Sequence, residues 1–124
     1  MAHYINIPSF KDYRGSLHVL EKAIPFEIKR VYYIYGVPGH DRGGHRHVST
    51  DQVLICLNGS CVISQNNGIS KQDFVLNNPE VALFVHRDDW HIMKDFSENS
   101  ILLVLASTHY DVDDYIDEPY PENS

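Results

Sequence analysis

Two histidines, His45 and His47, stand two residues apart before an apolar run and directly after Gly43 and Gly44. Residues i and i+2 of a β-strand point to the same face, so this spacing presents the two imidazoles side by side. Imidazole changes its charge near neutral pH, and Arg42 lies close by in the chain. The stretch therefore indicates an acid/base or ligand-binding site. The alternative, a polar strand face that happens to carry histidine, is less favoured because the glycines let backbone approach the pair closely.

The elements that must position this pair are short and extended. Apolar and β-branched segments recur at short intervals between turns rich in glycine, asparagine and proline, and no window has a long helical period. The predicted strands cover 17–20, 28–35, 45–47, 51–57, 60–64, 71–76, 81–85, 90–93 and 100–107, with a short extended segment at 4–7. The Asn58-Gly59 pair is a hairpin signal. The pattern predicts an all-β sandwich or barrel.

Composition narrows the class of protein. The chain has 124 residues, 43% of them hydrophobic, which predicts a single domain over 1–124 with a substantial core. It has no apolar run of about 18 residues, so we expect no membrane span, and its N-terminus lacks a signal-peptide pattern. A formal net charge of −7 argues against binding to nucleic acid or anionic membranes. Cys56 and Cys61 are expected to be small core residues without a disulfide, which favours a cytoplasmic location.

The histidine pair also fits a longer motif, and through it the chain resembles the cupins. The first cupin motif contains two glycines around a His-x-His pair, matched here by Gly39, His45, His47 and Gly59. Gln52 stands where that motif has glutamate, and Asp51, one residue earlier, would face the other way on a strand. Of the second cupin motif only His91 is matched. The missing carboxylate and the nearby arginines favour a site without metal; a zinc site formed by the three histidines is the alternative.

Longer segments resemble the nucleotide-sugar 3,4-ketoisomerases, a family within the cupins. These segments are 12–17, 24–34, 42–47, 52–61, 90–91 and 105–107, and the resemblance extends over about 12–116. Glutamine in place of the metal-binding carboxylate belongs to this family's pattern. Membership implies a jelly-roll barrel of antiparallel strands, no metal, no cofactor, and a homodimer that often exchanges N-terminal strands. The implied substrate is a TDP-linked 4-oxo-6-deoxyhexose.

The resemblance implies an enzyme that moves a carbonyl from C4 to C3 of the sugar through an enediolate. The C3 proton is acidic because it lies α to the C4 carbonyl. Its removal requires a base, a proton donor and positive groups facing the oxyanion, but no redox cofactor. His45 and His47 fit the first two roles, and His47 is favoured as the base or proton shuttle. Arg14 and Arg42 fit the oxyanion and pyrophosphate roles, because guanidinium pairs well with phosphate.

Three further residues are substrate-binding candidates. His91 is expected to point into the barrel, although a buried histidine satisfied by its neighbours is the structural alternative. In the family it resembles, arginine at the Arg14 position with histidine at the His91 position marks enzymes that form the 3-oxo-6-deoxy-galactose product. We therefore expect the galacto product, a precursor of 3-amino-3,6-dideoxy sugars such as those of lipopolysaccharide O-antigens. Tyr33 is favoured over Tyr32 as the substrate-facing tyrosine, and Arg30 is a weaker candidate for phosphate binding.

Acidic residues crowd the C-terminal segment, where a short helical turn is predicted near 113–116. They are Asp111, Asp113, Asp114, Asp117 and Glu118. Without a glycine-bearing calcium pattern, they are expected to form a solvated end. Three rival functions stay open: a metal-dependent cupin enzyme, a non-catalytic sugar-binding cupin, and a 3,5-epimerase acting on the same sugar.

Overall fold

A computed structural model describes residues 1–122, which form twelve strands and one turn of 3₁₀ helix at Val112–Asp114. The strands are β1 (His3–Asn6), β2 (Ser9–Asp12), β3 (Gly15–His18), β4 (Arg30–Tyr35), β5 (Arg42–His47), β6 (Gln52–Asn58), β7 (Cys61–Asn66), β8 (Lys71–Leu76), β9 (Val81–Val85), β10 (Trp90–Lys94), β11 (Ile101–Ala106) and β12 (Tyr115–Ile116). Residues 1–122 contain no α-helix. The prediction of an all-β fold is confirmed.

The strands form two five-stranded sheets and a separate hairpin. One sheet has the order β1-β9-β6-β11-β4, the other β12-β5-β10-β7-β8, and β2 pairs with β3 alone. All of these pairings are antiparallel. The two sheets face each other and enclose a core, as in a cupin-type jelly-roll barrel.

Strand β6 explains why the chain packs as it does. Its residues Val53, Leu54 and Ile55 are each at most 2% exposed, so both faces of the strand are covered. Leu54 packs inside the barrel, whereas Val53 and Ile55 pack outside it, under the segment 20–26. A strand that is buried on both faces has a continuous apolar sequence, and residues 53–57 have this pattern.

The barrel interior is divided into an apolar half and a polar half. The apolar half is filled by Ile63, Met93 and Leu102 together with Phe96. The polar half lies at the other end of the same strands and contains a set of buried polar side chains: His47, Gln52, Gln65 and His91. Buried polar groups cost free energy unless they are hydrogen-bonded, so their concentration at one end of the barrel identifies that end as the functional one.

Two local expectations from the sequence differ from the structure. Asn58-Gly59 does not close a hairpin, because β6 pairs with β9 and β11 while β7 pairs with β8 and β10. The turn carries the chain from one sheet to the other instead, with Gly59 in the left-handed region at φ 71°. Strand β2 was not predicted, because its polar residues gain their partners only from β3.

One other expectation is confirmed. Cys56 and Cys61 are buried and free, as predicted. Among residues 1–122, no helix is long and apolar enough to cross a membrane.

Candidate active site

Three histidines meet in the polar half of the barrel. His45 lies directly opposite His91 in the pairing of β5 with β10. Their ring centroids are 5.3 Å apart, and those of His45 and His47 are 5.1 Å apart. His47 is 2% exposed and His91 is fully buried, whereas His45 is half-buried. The prediction that the two β5 imidazoles stand side by side is confirmed, and His91 points into the barrel as expected.

The glycines before the pair allow β5 to approach β10 this closely. Gly43 has a φ of 85° and Gly44 a φ of 80°, in a backbone region that residues with a side chain rarely adopt. A Cβ on Gly43 would lie 3.0 Å from the carbonyl oxygen of His91. The register of the two strands shifts between His91 and Ile92, next to these glycines. The glycine pair therefore forms an irregularity that sets the position of His45 against His91.

A carboxylate from the C-terminal segment holds His47. His47 Nδ1 lies 2.8 Å from Asp114 Oδ2. Asp114 also accepts hydrogen bonds from Ser49 and Thr50, whose donors lie 2.5–2.9 Å from its oxygens. Although burial raises the pKa of Asp114, the bonds from Thr50, Ser49 and His47 outweigh burial and lower the pKa to about 2. An ionised Asp114 can only accept, so His47 Nδ1 donates, and in the neutral ring Nε2 keeps its lone pair.

Burial keeps all three imidazoles neutral near pH 7. Removal from water is the largest cause that lowers the pKa of His45 and His47, and for His47 the hydrogen bond to Asp114 opposes it. Burial lowers the pKa of His91 to about 3. Neutral His91 donates from Nδ1 to the carbonyl oxygen of Asp89 at 3.1 Å. The Nε2 atoms of His47 and His91 are buried and have no hydrogen-bond partner among the described residues.

Gln52, which the sequence motif predicts in place of the cupin glutamate, lies in the polar half of the barrel. It is 1% exposed, and its Nε2 donates to the Tyr32 hydroxyl at 3.1 Å. Asp51 faces away from the cluster, as its phase in the strand predicts, and forms an ion pair with Arg87 at 3.1 Å. Within residues 1–122, no group of three or more His, Cys, Asp or Glu side chains is arranged to hold a metal ion.

Tyr115 and Arg30 complete the wall of the cluster. The ring centroid of Tyr115 lies 4.8 Å from those of both His45 and His47. Arg30 Nη1 donates to the Tyr115 hydroxyl at 3.3 Å, and its guanidinium lies 5.6 Å from the ring centroid of Tyr32. Burial raises the pKa of Tyr32. Arg30, a weaker candidate from sequence, is thus the guanidinium that the structure brings to the histidines.

Tyr33, the favoured tyrosine, is not brought to the cluster. Its side chain is 64% exposed on the outer face of β4 and packs against Tyr35 with ring centroids 6.0 Å apart. Tyr32 faces inward instead. The predicted alternation of the two tyrosines is confirmed: Arg30 and Tyr32 share one strand face, and that face lies toward the histidines of the same chain. The substrate-facing role of Tyr33 stays a prediction.

Arg14 and Arg42 also lie away from the histidines of their own chain. Arg14 is in the turn between β2 and β3, exposed and paired with Asp12. Arg42 begins β5 and is exposed, while His47 ends that strand, roughly 16 Å away along the backbone. Neither guanidinium contacts an imidazole among the described contacts of the chain.

Sequence reasoning missed Asp114 and Tyr115. Asp114 was expected in a solvated end but is 6% exposed, because the 3₁₀ turn and β12 bring the segment back against β5. The predicted helical turn is confirmed in this place. The segment carries the apolar residues Val112, Tyr115 and Ile116, which are a sequence signal against a fully solvated end.

Comparison with known proteins gives concordant matches. The family model described as FdtA, WxcM-like, C-terminal matches residues 1–121. A TDP-4-oxo-6-deoxy-alpha-D-glucose-3,4-oxoisomerase from Aneurinibacillus thermoaerophilus is 48% identical over 115 residues, covering 90% of this chain and 83% of that protein. The structure of the WlaRB TDP-quinovose 3,4-ketoisomerase from Campylobacter jejuni has a TM-score of 0.91 and 44% identity over 94% of this chain and 92% of that one.

A third relative, the 3,4-ketoisomerase QdtA from Thermoanaerobacterium thermosaccharolyticum, has been solved in two forms with TDP. The unsubstituted enzyme has a TM-score of 0.90 and 42% identity, covering 94% of this chain and 88% of that one. A double variant, in which a tyrosine becomes arginine and an arginine becomes histidine, has a TM-score of 0.91 and 44% identity, covering 94% and 87%.

Proposed function

The chain belongs to the FdtA family, and from that premise we propose that it is a single-domain TDP-4-oxo-6-deoxy-D-glucose 3,4-ketoisomerase. The observation that carries this proposal is the unpartnered Nε2 of His47, buried beside His45 in the polar half of the barrel. A neutral imidazole with a free lone pair can act as a base at neutral pH, and a second imidazole 5.1 Å away can return the proton.

The reaction consists of two proton transfers at carbon and one between the two oxygens. His47 Nε2 takes the C3 proton, the C3–H electron pair forms the C3–C4 double bond, and the C4 carbonyl electrons move to its oxygen. In the resulting enediolate the proton of the C3 hydroxyl passes to the C4 oxygen, the C3 carbonyl forms, and C4 receives a proton from the histidine pair. Carbon C3 is oxidised while C4 is reduced, so the reaction needs no external oxidant or cofactor.

Positive charge at the cluster stabilises the enediolate. Arg30 is held by the Tyr115 hydroxyl, and its buried Nε has no partner among the described residues. A fixed guanidinium facing a developing oxyanion lowers the barrier because it needs no reorganisation during the reaction. We assign Arg30 to the oxyanion or the adjacent phosphate, and Arg42, farther out on β5, to the pyrophosphate. His91 Nε2 accepts a hydrogen bond from a sugar hydroxyl.

Arg14 reaches this site only from a second copy of the chain. Lys11 of the β2–β3 hairpin forms an ion pair with Glu80, before the start of β9. His47 N–H donates to the Arg87 carbonyl at 2.9 Å, beyond the end of β9. The five residues of β9 measure roughly 17 Å, so the hairpin that carries Arg14 lies at the opposite end of its own barrel from the histidines.

The exposed apolar surface supports a homodimer in which N-terminal strands are exchanged. The hairpin leaves Phe10 64% and Leu17 60% exposed, and it pairs with no other strand among residues 1–122. The outer face of β4 leaves Val31, Tyr33 and Tyr35 more than half exposed. Apolar surface of this kind marks a protein interface. We infer that Tyr33 contributes to this dimer surface, and that exchange brings Arg14 to the partner's site.

Refolding two inactive variants together tests this arrangement. Arg14→Ala and His47→Asn are each expected to lose activity. If Arg14 acts in the partner's site, a hybrid dimer contains one site with both native residues, and the refolded mixture regains activity. If Arg14 acts within its own chain, neither site of the hybrid is complete and the mixture stays inactive. Light scattering on the separate variants checks that both remain dimers.

We further propose that the product has the galacto configuration, through Arg14 and His91. QdtA gains identity to this chain, from 42% to 44%, when arginine and histidine are introduced at two positions. Over nearly the whole chain that difference corresponds to two residues, which supports an arginine and a histidine of this chain at those places. The gluco product is the second candidate, because WlaRB, at 44% identity, is named for TDP-quinovose, the gluco sugar.

Turnover without metal tests the activity itself. Purified protein, dialysed against chelator, is incubated with TDP-4-oxo-6-deoxy-glucose and followed by proton NMR. We expect a 3-oxo sugar whose C4 coupling reports the galacto configuration. Recovery of activity only after metal addition would support a metal-dependent cupin, and binding without conversion would support a sugar-binding cupin. The free buried thiols agree with the reducing cytoplasm, where we place the reaction.

A further inference from the structure

The carboxylate of Asp114 has a role that the acidic character of its segment does not suggest. Its four neighbours in the acidic set, Asp111, Asp113, Asp117 and Glu118, are exposed, whereas Asp114 is 6% exposed. It ends the 3₁₀ turn, and its backbone carbonyl also accepts a hydrogen bond from Val48 N–H at 2.9 Å. The segment is thus bound to β5 and its following turn through both the backbone and the side chain of one residue.

We propose that Asp114 is a positioning residue that holds His47 with Nδ1 protonated and Nε2 facing the substrate. The proposal rests on the proposed function, because it names what prepares the base of that reaction. His47 Nδ1 donates to Asp114 Oδ2 at 2.8 Å, and Nε2 is buried without a partner among the described residues. The tautomer of a histidine is determined by the hydrogen bond that its other nitrogen makes.

The orientation of Asp114 is itself fixed by the turn after β5. Ser49 donates to Oδ1 from both its backbone nitrogen and its hydroxyl, at 2.8 and 2.9 Å. Thr50 donates to Oδ2 and also contacts the Thr108 hydroxyl at 2.6 Å. With both oxygens occupied by donors, the carboxylate has one orientation in which His47 Nδ1–H completes the set. This arrangement removes the freedom of the imidazole to flip or to change tautomer.

Replacement of Asp114 by asparagine lets a hydrogen-bond donor face His47 in place of an acceptor. An amide can turn its NH₂ group toward Nδ1, which then becomes an acceptor, and the proton moves to Nε2. His47 is then in the wrong tautomer to take a proton from C3. A comparable loss of general-base function costs about 100-fold or more in rate. We therefore expect Asp114→Asn to lower kcat about 100-fold and to leave TDP affinity within about twofold, because the buried carboxylate is engaged by His47, Ser49 and Thr50.

The pH profile gives a signature that a purely structural role would lack. Asp114 favours the protonated form of His47, so its removal lowers the pKa of His47 and moves the acidic limb of kcat/KM to lower pH. Other groups facing His47 from the packed elements keep their contacts in the variant. They are Arg30 on β4, Asp51 before β6, His91 on β10, His45 on β5 and Tyr115 on β12.

The decisive experiment reads the tautomer directly and needs no turnover. Nitrogen-15 NMR of the imidazoles, with His47 assigned by its loss in His47→Asn, is expected to show protonated Nδ1 and unprotonated Nε2 in the native protein. In Asp114→Asn the two nitrogens should exchange roles. A native His47 protonated at Nε2, or one unchanged in Asp114→Asn, would overturn the proposal.

A matched control lies in the adjacent residue. Asp113→Asn removes one negative charge from the same turn, and the Asp113 side chain makes no hydrogen bond among the described contacts, so kcat and the tautomer should stay native. An inactive native protein with the expected tautomer would contradict the proposed function but not the positioning role. If Asp114→Asn does not fold, the native spectrum alone tests the proposal, because a native His47 protonated at Nε2 would refute the role of Asp114.

Discussion

An alanine at position 43 would press against the strand that carries His91. Gly43 has a φ of 85°, and a Cβ there would lie 3.0 Å from the His91 carbonyl oxygen and 3.5 Å from the next Cα. Gly44 has nearly the same φ, 80°, but its nearest neighbour would be a carbon of the Trp90 ring at 4.0 Å. The two substitutions therefore share a backbone cost and differ in one contact, which makes Gly44→Ala a matched control.

The expected losses of stability and activity follow from the shared backbone cost and from the contact with the His91 carbonyl. The left-handed conformation costs a residue with a Cβ about 1–2 kcal/mol, and both variants should lose that much stability. Gly43→Ala must also displace backbone that is hydrogen-bonded in a sheet, and crowding of this kind costs about 1–3 kcal/mol more. The displacement moves His91 relative to His45 by a few tenths of an ångström. We expect kcat to fall about tenfold in Gly43→Ala, by misplacement of the catalytic geometry, and to change little in Gly44→Ala.

Two measurements check this prediction. Equilibrium unfolding in urea gives the free energy of unfolding of each variant, and steady-state kinetics with TDP-4-oxo-6-deoxy-glucose gives kcat. Equal losses of stability and equal kcat values in the two variants would refute the reasoning that Gly43 sets the spacing of the strands.

Three further predictions concern single side chains. His47→Asn should lower kcat by about 1,000-fold while TDP affinity stays unchanged, and retained turnover would remove His47 as the base. Because burial lowers the pKa of His91 to about 3, the unfolded chain binds more protons than the native one below about pH 6.5. Stability to urea should therefore fall as the pH drops from about 6.5 toward 3, and His91→Gln should show a shallower decline. Tyr32→Phe should lower the free energy of unfolding by about 1 kcal/mol, because it leaves the buried Gln52 amide without its acceptor. Tyr33→Phe should leave the monomer fold unchanged. Equal losses of stability in urea titrations of the two variants would contradict the inward position of Tyr32.

Much of the barrel could be predicted from local sequence signals. Strand β4 alternates half-buried and exposed residues, and β6 is an uninterrupted apolar run, so both patterns report burial directly. The His-x-His spacing likewise fixes the relation of His45 to His47, because the two-residue period of a strand determines which side chains share a face.

The remaining features depend on pairings that local sequence does not contain. Asp114 meets His47 across 67 positions of sequence, and its short segment carries no periodicity that could predict the meeting. The choice between Tyr32 and Tyr33 required knowledge of which face of β4 lies inside the barrel. The local turn chemistry of Asn58-Gly59 predicts a hairpin, but this chemistry is the same whether the next strand pairs with the last or crosses to another sheet.

The most direct test of the account is proton NMR of the reaction in deuterated buffer without added metal. We predict that the native protein converts TDP-4-oxo-6-deoxy-glucose to a 3-oxo sugar with deuterium at C4, delivered by the histidine pair after exchange with solvent. A 3-oxo product with protium at C4 would contradict that shuttle. Deuterium at C3 and C5 of an unrearranged 4-oxo sugar would identify a 3,5-epimerase and overturn the assignment.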